Sequence, residues 1–163
     1  MSLGASSPET TTEAGATAAE DAAAAAHVAS GAWGVDPDRD IAVRDGSGLS
    51  RHDYVTPEAL VRVLTAVRRD TAFRVFYDAL PIAGVDGTIA SRMKETPAAG
   101  NVHAKTGTVD KARSLSGYVT SADGELLIFS LLCNNWTTPV RAVERVQDEI
   151  ATRLASSRLA DLR

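Results

Sequence analysis

The chain has 163 residues and a mass of 17.1 kDa, the size of one domain or the greater part of one. Apolar residues make up 44%, near the soluble average, although 28 residues are alanine and offer a core little bulk. A net charge of −4 with both signs interspersed argues against a nucleic-acid partner, and no apolar run approaches the roughly 20 residues of a membrane span. One cysteine, Cys133, and three scattered histidines leave no disulfide framework and no metal cluster, so neither metal nor cofactor is expected.

Residues 1–12, rich in Ser, Thr, Gly and Pro, read as a disordered tail or a cloning remnant, with neither the basic region nor the apolar block of a secretory signal. The domain is expected over 13–163. From Glu13 to about Ser30 alanine dominates and predicts a helix with small side chains that packs closely against something bulkier. Ile41-Ala42-Val43 predicts a short strand before the glycine-bearing loop Asp45 to Arg51. Thr56-Pro57 is a helix start, a hydroxyl cap followed by proline at the first helical position, and Leu60, Val61, Leu64 and Val67 give that helix one apolar face. A short helical piece fits Ala72 to Ala79, and Gly84 to Gly87 reads as a turn.

The second half changes character. Val102, Ala104 and Thr106 alternate with His103 and Lys105, the period of a half-buried strand. Leu115 to Thr120 predicts a second strand, Ser121 to Gly124 a hairpin turn, and Leu126 to Leu132 a third strand that is apolar on both faces and so covered on both sides. Cys133 in that run reads as a small core residue, and Trp33 and Trp136 as packing residues. Thr138-Pro139 starts a closing helix with Val143, Val146, Ile150 and Leu154 on its apolar face. The fold class is α/β in the loose sense: an antiparallel sheet of three strands between helices.

Lys105-Thr106-Gly107 closes the first of these strands. In a chain with so few lysines the tripeptide carries weight; at average usage it arises by chance in roughly 3% of chains this long. An edge strand can pair its backbone with an extended peptide, while an ammonium and a hydroxyl beside it grip a terminal carboxylate and a glycine keeps the wall low. On the tripeptide alone, a solvated lysine before an ordinary turn is the competing reading. Strand alternation also sends Lys105 and Thr106 to opposite faces unless the strand ends or twists there.

A longer pattern surrounds it: D-G-S-G-L-S-R-H over residues 45–52, L-P-I-A-G-V-D-G-T over 80–88, P-A-A-G-N-V-H-A-K-T-G-T over 97–108 and L-S-G-Y-V over 115–119. In this order the blocks resemble the C-terminal part of the D-alanyl-D-alanine carboxypeptidase/endopeptidase family of low-molecular-mass penicillin-binding proteins, over about residues 15–155. The resemblance implies an incomplete transpeptidase-like domain and a serine-type hydrolase of peptidoglycan stem peptides that binds β-lactams outside the cytoplasm. It further implies that Lys105 and Thr106 hold the terminal carboxylate, that Gly107 leaves clearance, and that the Thr108 backbone N–H is an oxyanion donor. Ser47, Leu49 and Arg51 would line the pocket for the stem-peptide side chain, with Arg51 suited to a carboxylate there; equally, the loop is structural and Arg51 pairs with a nearby acid. Asp53, where such proteins often have asparagine, and Asp110 at the rim place negative charge against an acidic side chain.

The family's S-x-x-K nucleophile and S-x-N motif have no counterpart before Asp45, so the chain by itself is expected to be inactive. Ser91-Arg92-Met93-Lys94 matches S-x-x-K, but such a match arises about once in every two chains of this size, and its polar surroundings do not look buried. His103 reads as a satisfied or exposed strand histidine. The rival readings are a β-lactamase or esterase of the same architecture and a non-catalytic module that binds a peptide or a partner. Exposed apolar surface on the alanine-rich helix and beside the K-T-G strand would favour a homodimer.

Overall fold

The computed structural model describes residues 31–45 and 47–162 together with Ala24. The tail and, Ala24 apart, the alanine-rich helix expected up to Ser30 lie outside the described residues. The chain divides after Thr56 into two units, residues 1–56 and 57–163.

In the first unit, β1 (Ile41–Ala42) pairs antiparallel with β2 (Tyr54–Val55), Ile41 opposite Val55. The sequence marked β1 but not β2, because two residues are too short to show alternation. Trp33 is 42% exposed, so the packing role expected of it does not hold.

The second unit begins with α1 (Pro57–Arg68), starting at the proline as expected, and α2 (Phe73–Asp78). Turns and one 3-10 turn (Gly87–Ile89) lead to three strands, β3 (His103–Val109), β4 (Ala112–Thr120) and β5 (Leu126–Asn134), hydrogen-bonded in that order and all antiparallel. β3 and β4 run several residues beyond the expected spans, because their hairpin turns at Asp110-Lys111. Lys111 there takes φ +54°, a left-handed conformation usually given to glycine or asparagine, so no turn signature stood in the sequence. The β4–β5 turn does carry one: Gly124 at φ +86°, with its N–H donated to the Ser121 carbonyl. A closing helix, α3 (Val140–Ser156), and a 3-10 turn (Leu159–Leu162) complete the unit. Among the described residues no helix is long and apolar enough to cross a membrane.

Helices cover both faces of the sheet, as the doubly apolar β5 requires. On one face Ala104, Leu115, Val119 and Phe129 pack with Ala151 and Ala155 of α3. On the other, Tyr118 is fully buried beside Leu64 of α1 and the rings of Phe73 and Tyr77, with ring centroids 5.3 and 5.7 Å away. Such pairs add about 0.5–1.5 kcal/mol each to the area they bury. The Tyr118 hydroxyl donates to the Leu64 carbonyl at 2.8 Å, and burial pushes its pKa up to about 12. The phenol therefore stays neutral in the folded chain.

α3 is rotated by one residue from its expected orientation. Val143, Gln147, Ala151 and Ala155 face inward, Leu154 is half-buried, and Val146 and Ile150 are exposed. The physical reason is separation: two alanines let the helix backbone approach the sheet, where larger side chains would hold it away. Gln147 is tolerated inside because its amide is used. Its Oε1 accepts from Arg92 at 3.2 Å, and its Nε2 lies 3.9 Å from the sulfur of Cys133, itself half-buried rather than fully in the core. Arg92 also pairs with Asp148 at 2.7 Å and so ties the loop before β3 to α3. The expected Thr138 cap is absent: Pro139 occupies the cap position and no side chain caps the helix.

Candidate active site

Strand geometry decides which K-T-G groups are available. In an antiparallel strand, alternate residues aim their N–H and C=O at the same edge. Ala104 donates its N–H to the Pro81 carbonyl and Val102 accepts from the Ala83 N–H, each at 3.0 Å, so the even-numbered residues of β3 face away from β4. Pro81–Ala83 thus covers the first part of this outer edge. From Thr106 onward no further backbone partner takes it up among the described residues of this unit. The N–H and C=O of Thr106 and the N–H of Thr108 point outward along that open stretch.

The side chains divide as alternation demands. Lys105 is exposed, lies on the α2 side of the sheet, and bends its Nζ over the edge to donate to the Thr106 carbonyl at 2.8 Å. Thr106 and Thr108 lie on the α3 side, where the Thr106 hydroxyl donates to that of Thr88 at 2.9 Å. Gly107 leaves room that a β-carbon would fill against the hydroxyl of Ser114. A cavity of about 170 Å³ opens beside these residues, lined by Thr88, Arg92, Thr106, Thr108, Arg113 and Glu144. A wider groove of about 420 Å³ continues past Val109 and Asp110 to Lys111 and Trp136. Trp136 is half-buried and stacks under Arg113, whose guanidinium carbon lies 5.9 Å from the ring centroid.

His103 stacks on Tyr77 at 4.0 Å between centroids, and its Nδ1 lies 3.3 Å from the Tyr77 carbonyl, a packed strand histidine away from the open edge. Ser91 and Lys94 are exposed on irregular turns, with φ of +57° at Met93 and +59° at Glu95, so they share no helical face. Arg113 was not singled out in the sequence. Its place across from Thr108 follows from the hairpin register, which depends on the unmarked turn at Asp110-Lys111.

Ser47, Leu49 and Arg51 belong to the loop between β1 and β2 in the first unit. There Asp45 accepts from the Ser47 hydroxyl at 2.6 Å and from its N–H at 2.9 Å, and the Leu49 N–H donates to the Ser47 hydroxyl at 3.1 Å. These bonds, that from the Ser47 hydroxyl first, hold the Asp45 carboxyl below the usual carboxylate range. Asp53 accepts the Arg44 N–H at 2.6 Å, and Leu49 is 69% exposed. The Ser47 hydroxyl thus shapes the loop from within, while the Leu49 side chain is available to a ligand.

An antiparallel sheet between helices, with K-T-G at an open edge, is the architecture of the transpeptidase-like penicillin-binding proteins. Residues 7–157 match the D-Ala-D-Ala carboxypeptidase 3 (S13) family, and the chain belongs to that family. It is 42% identical over 120 residues to a D-alanyl-D-alanine carboxypeptidase of Actinomadura sp. (strain R39), covering 71% of this chain and 22% of that protein. Penicillin-binding protein 4 of Haemophilus influenzae superposes with a TM-score of 0.67 at 30% identity, covering 73% of this chain and 28% of the other. The Bd0816 predatory endopeptidase of Bdellovibrio bacteriovorus, solved with its immunity protein Bd3460, superposes at 0.65 and 25% identity, over 82% and 36%. The chain spans about a fifth of the length of the curated relatives it matches.

Proposed function

We propose that this chain supplies the substrate-binding wall of a serine-type D-Ala-D-Ala carboxypeptidase that trims peptidoglycan stem peptides outside the cytoplasm, and that β-lactams bind the same wall. The observation that carries this reading is the open stretch of the β3 edge from Thr106 to Thr108, with K-T-G upon it. A peptide ending in D-Ala-D-Ala pairs along the edge, and its terminal carboxylate lies against Lys105 and the Thr106 hydroxyl. The outward N–H of Thr108 donates to the carbonyl oxygen of the scissile bond, where negative charge develops as a serine attacks. The attack forms an acyl-enzyme and releases D-Ala, and water then releases the shortened peptide. Gly107 keeps the strand low enough for this approach, and the peptide body continues along the groove past Val109.

The one S-x-x-K match in the sequence, Ser91 to Lys94, sits on exposed turns, and among the described residues no other serine has a lysine at that spacing. By itself the chain does not form an acyl-enzyme. Incubation with a fluorescent penicillin followed by intact mass measurement checks this: the expected mass is that of the unmodified chain. A stable adduct mapped to Ser91 would overturn the assignment of the chain as wall alone.

A further inference from the structure

The cation that shares a face with the two threonines is not Lys105. In the β3–β4 register Arg113 stands opposite Thr108, so its side chain projects to the α3 side with Thr106 and Thr108 and lines the same 170 Å³ cavity. At about 30 Å³ per water, that volume takes a group of five or six heavy atoms, the size of a terminal alanine. The other cation there, Arg92, is committed to Asp148, to the Gln147 side chain and to the Glu144 carbonyl at 2.7–3.4 Å. Arg113 is held more loosely. Its Nη1 donates to the Val109 and Ala112 carbonyls at 3.2 Å, its face rests over Trp136, and its Nε lies 3.7 Å from a carboxylate oxygen of Glu144. That last pair is too long for a hydrogen bond yet close enough to balance charge, and it lies beside the two threonines. The Arg113 side chain is 22% exposed, so a ligand can reach the guanidinium while solvent screens it only in part.

We propose that Arg113 is a second carboxylate-binding residue of the wall, and that Glu144 stands in for the substrate's carboxylate until substrate arrives. The terminal carboxylate enters between the Thr106 and Thr108 hydroxyls and takes over Arg113 from Glu144, with Lys105 closing over the edge from the other face. Selectivity for a free carboxylate then comes from two cations on opposite sides of one strand. This inference rests on the substrate-wall reading above.

The test uses the whole chain and two probes, N-acetyl-D-Ala-D-Ala and its methyl ester, with Kd measured by NMR titration. The wild-type chain binds the acid more tightly than the ester. Arg113→Gln weakens acid binding about tenfold, as loss of one charge-assisted contact does, and leaves the ester unchanged. Arg113→Lys retains part of the preference for the acid. Glu144→Gln, which leaves Arg113 in place, tightens acid binding severalfold because the competing carboxylate is gone. A wild-type preference for the acid that survives unchanged in both Arg113→Gln and Glu144→Gln would overturn the role of Arg113 and leave the wall reading standing. Equal affinity of the wild-type chain for acid and ester would overturn the wall reading, and the role of Arg113 with it.

Discussion

Gly117→Ala will cost the fold about 3 kcal/mol, the upper part of the range for overpacking, and lower the melting temperature by about 10 °C. Gly117 lies on β4 opposite Ala104, where β3 and β4 approach so closely that no β-carbon fits. An added methyl would overlap the His103 carbonyl oxygen and lie 2.7 Å from the Ala104 α-carbon and 2.9 Å from its β-carbon. Its first obstacles are backbone atoms, which move only if the strand moves. The displaced strand is the one that carries K-T-G, so substrate affinity should fall with stability. Gly107→Ala is the internal comparison. The new methyl there meets a serine hydroxyl, which turns about one bond, and the stability cost should stay below about 1 kcal/mol. Thermal unfolding of the two variants side by side measures the difference. Equal losses would show that the close approach at Gly117 relaxes without consequence.

Lys105→Ala in the complete enzyme should lower kcat/KM by roughly ten- to a hundredfold for a peptide ending in a free D-Ala carboxylate, the worth of a charge-assisted contact of about 1.5–3 kcal/mol. Lys105 is exposed and its Nζ donates to the neighbouring Thr106 carbonyl, so its loss leaves the core intact. The methyl ester of the same peptide should lose much less. Thr106→Val should show the same preference at smaller size, because it removes a hydroxyl and no charge. Equal losses on acid and ester at unchanged melting temperature would assign Lys105 to proton transfer instead of carboxylate binding.

How much of this was legible in the sequence depended on whether each feature had a local signature. The strand alternation around Ala104, the apolar run of β5, the glycine turn before it and the Thr56-Pro57 helix start all carry their physics in adjacent residues, and all four appear where expected. The β3–β4 turn has neither glycine nor asparagine; Lys111 adopts the left-handed conformation instead. That one unmarked turn hid the register, and with it the place of Arg113. The inward face of α3 has no such signature, because hydrophobicity ranks Val146 and Ile150 above alanine, whereas the distance between helix and sheet favours Ala151 and Ala155. The K-T-G motif was visible as residues. Its open edge was not, because Pro81–Ala83 covers β3 only up to Ala104, and a sequence does not record where a neighbouring segment stops.

The central claim is that a terminal carboxylate docks on the open edge of β3, and the backbone amides of that edge report on it directly. Titrating the isotope-labelled chain with N-acetyl-D-Ala-D-Ala should shift the Thr106 and Thr108 amide resonances in a saturable way, while the methyl ester at the same concentrations should leave them nearly unmoved. Identical shifts from acid and ester, or saturable shifts that spare Thr106 and Thr108, would contradict it.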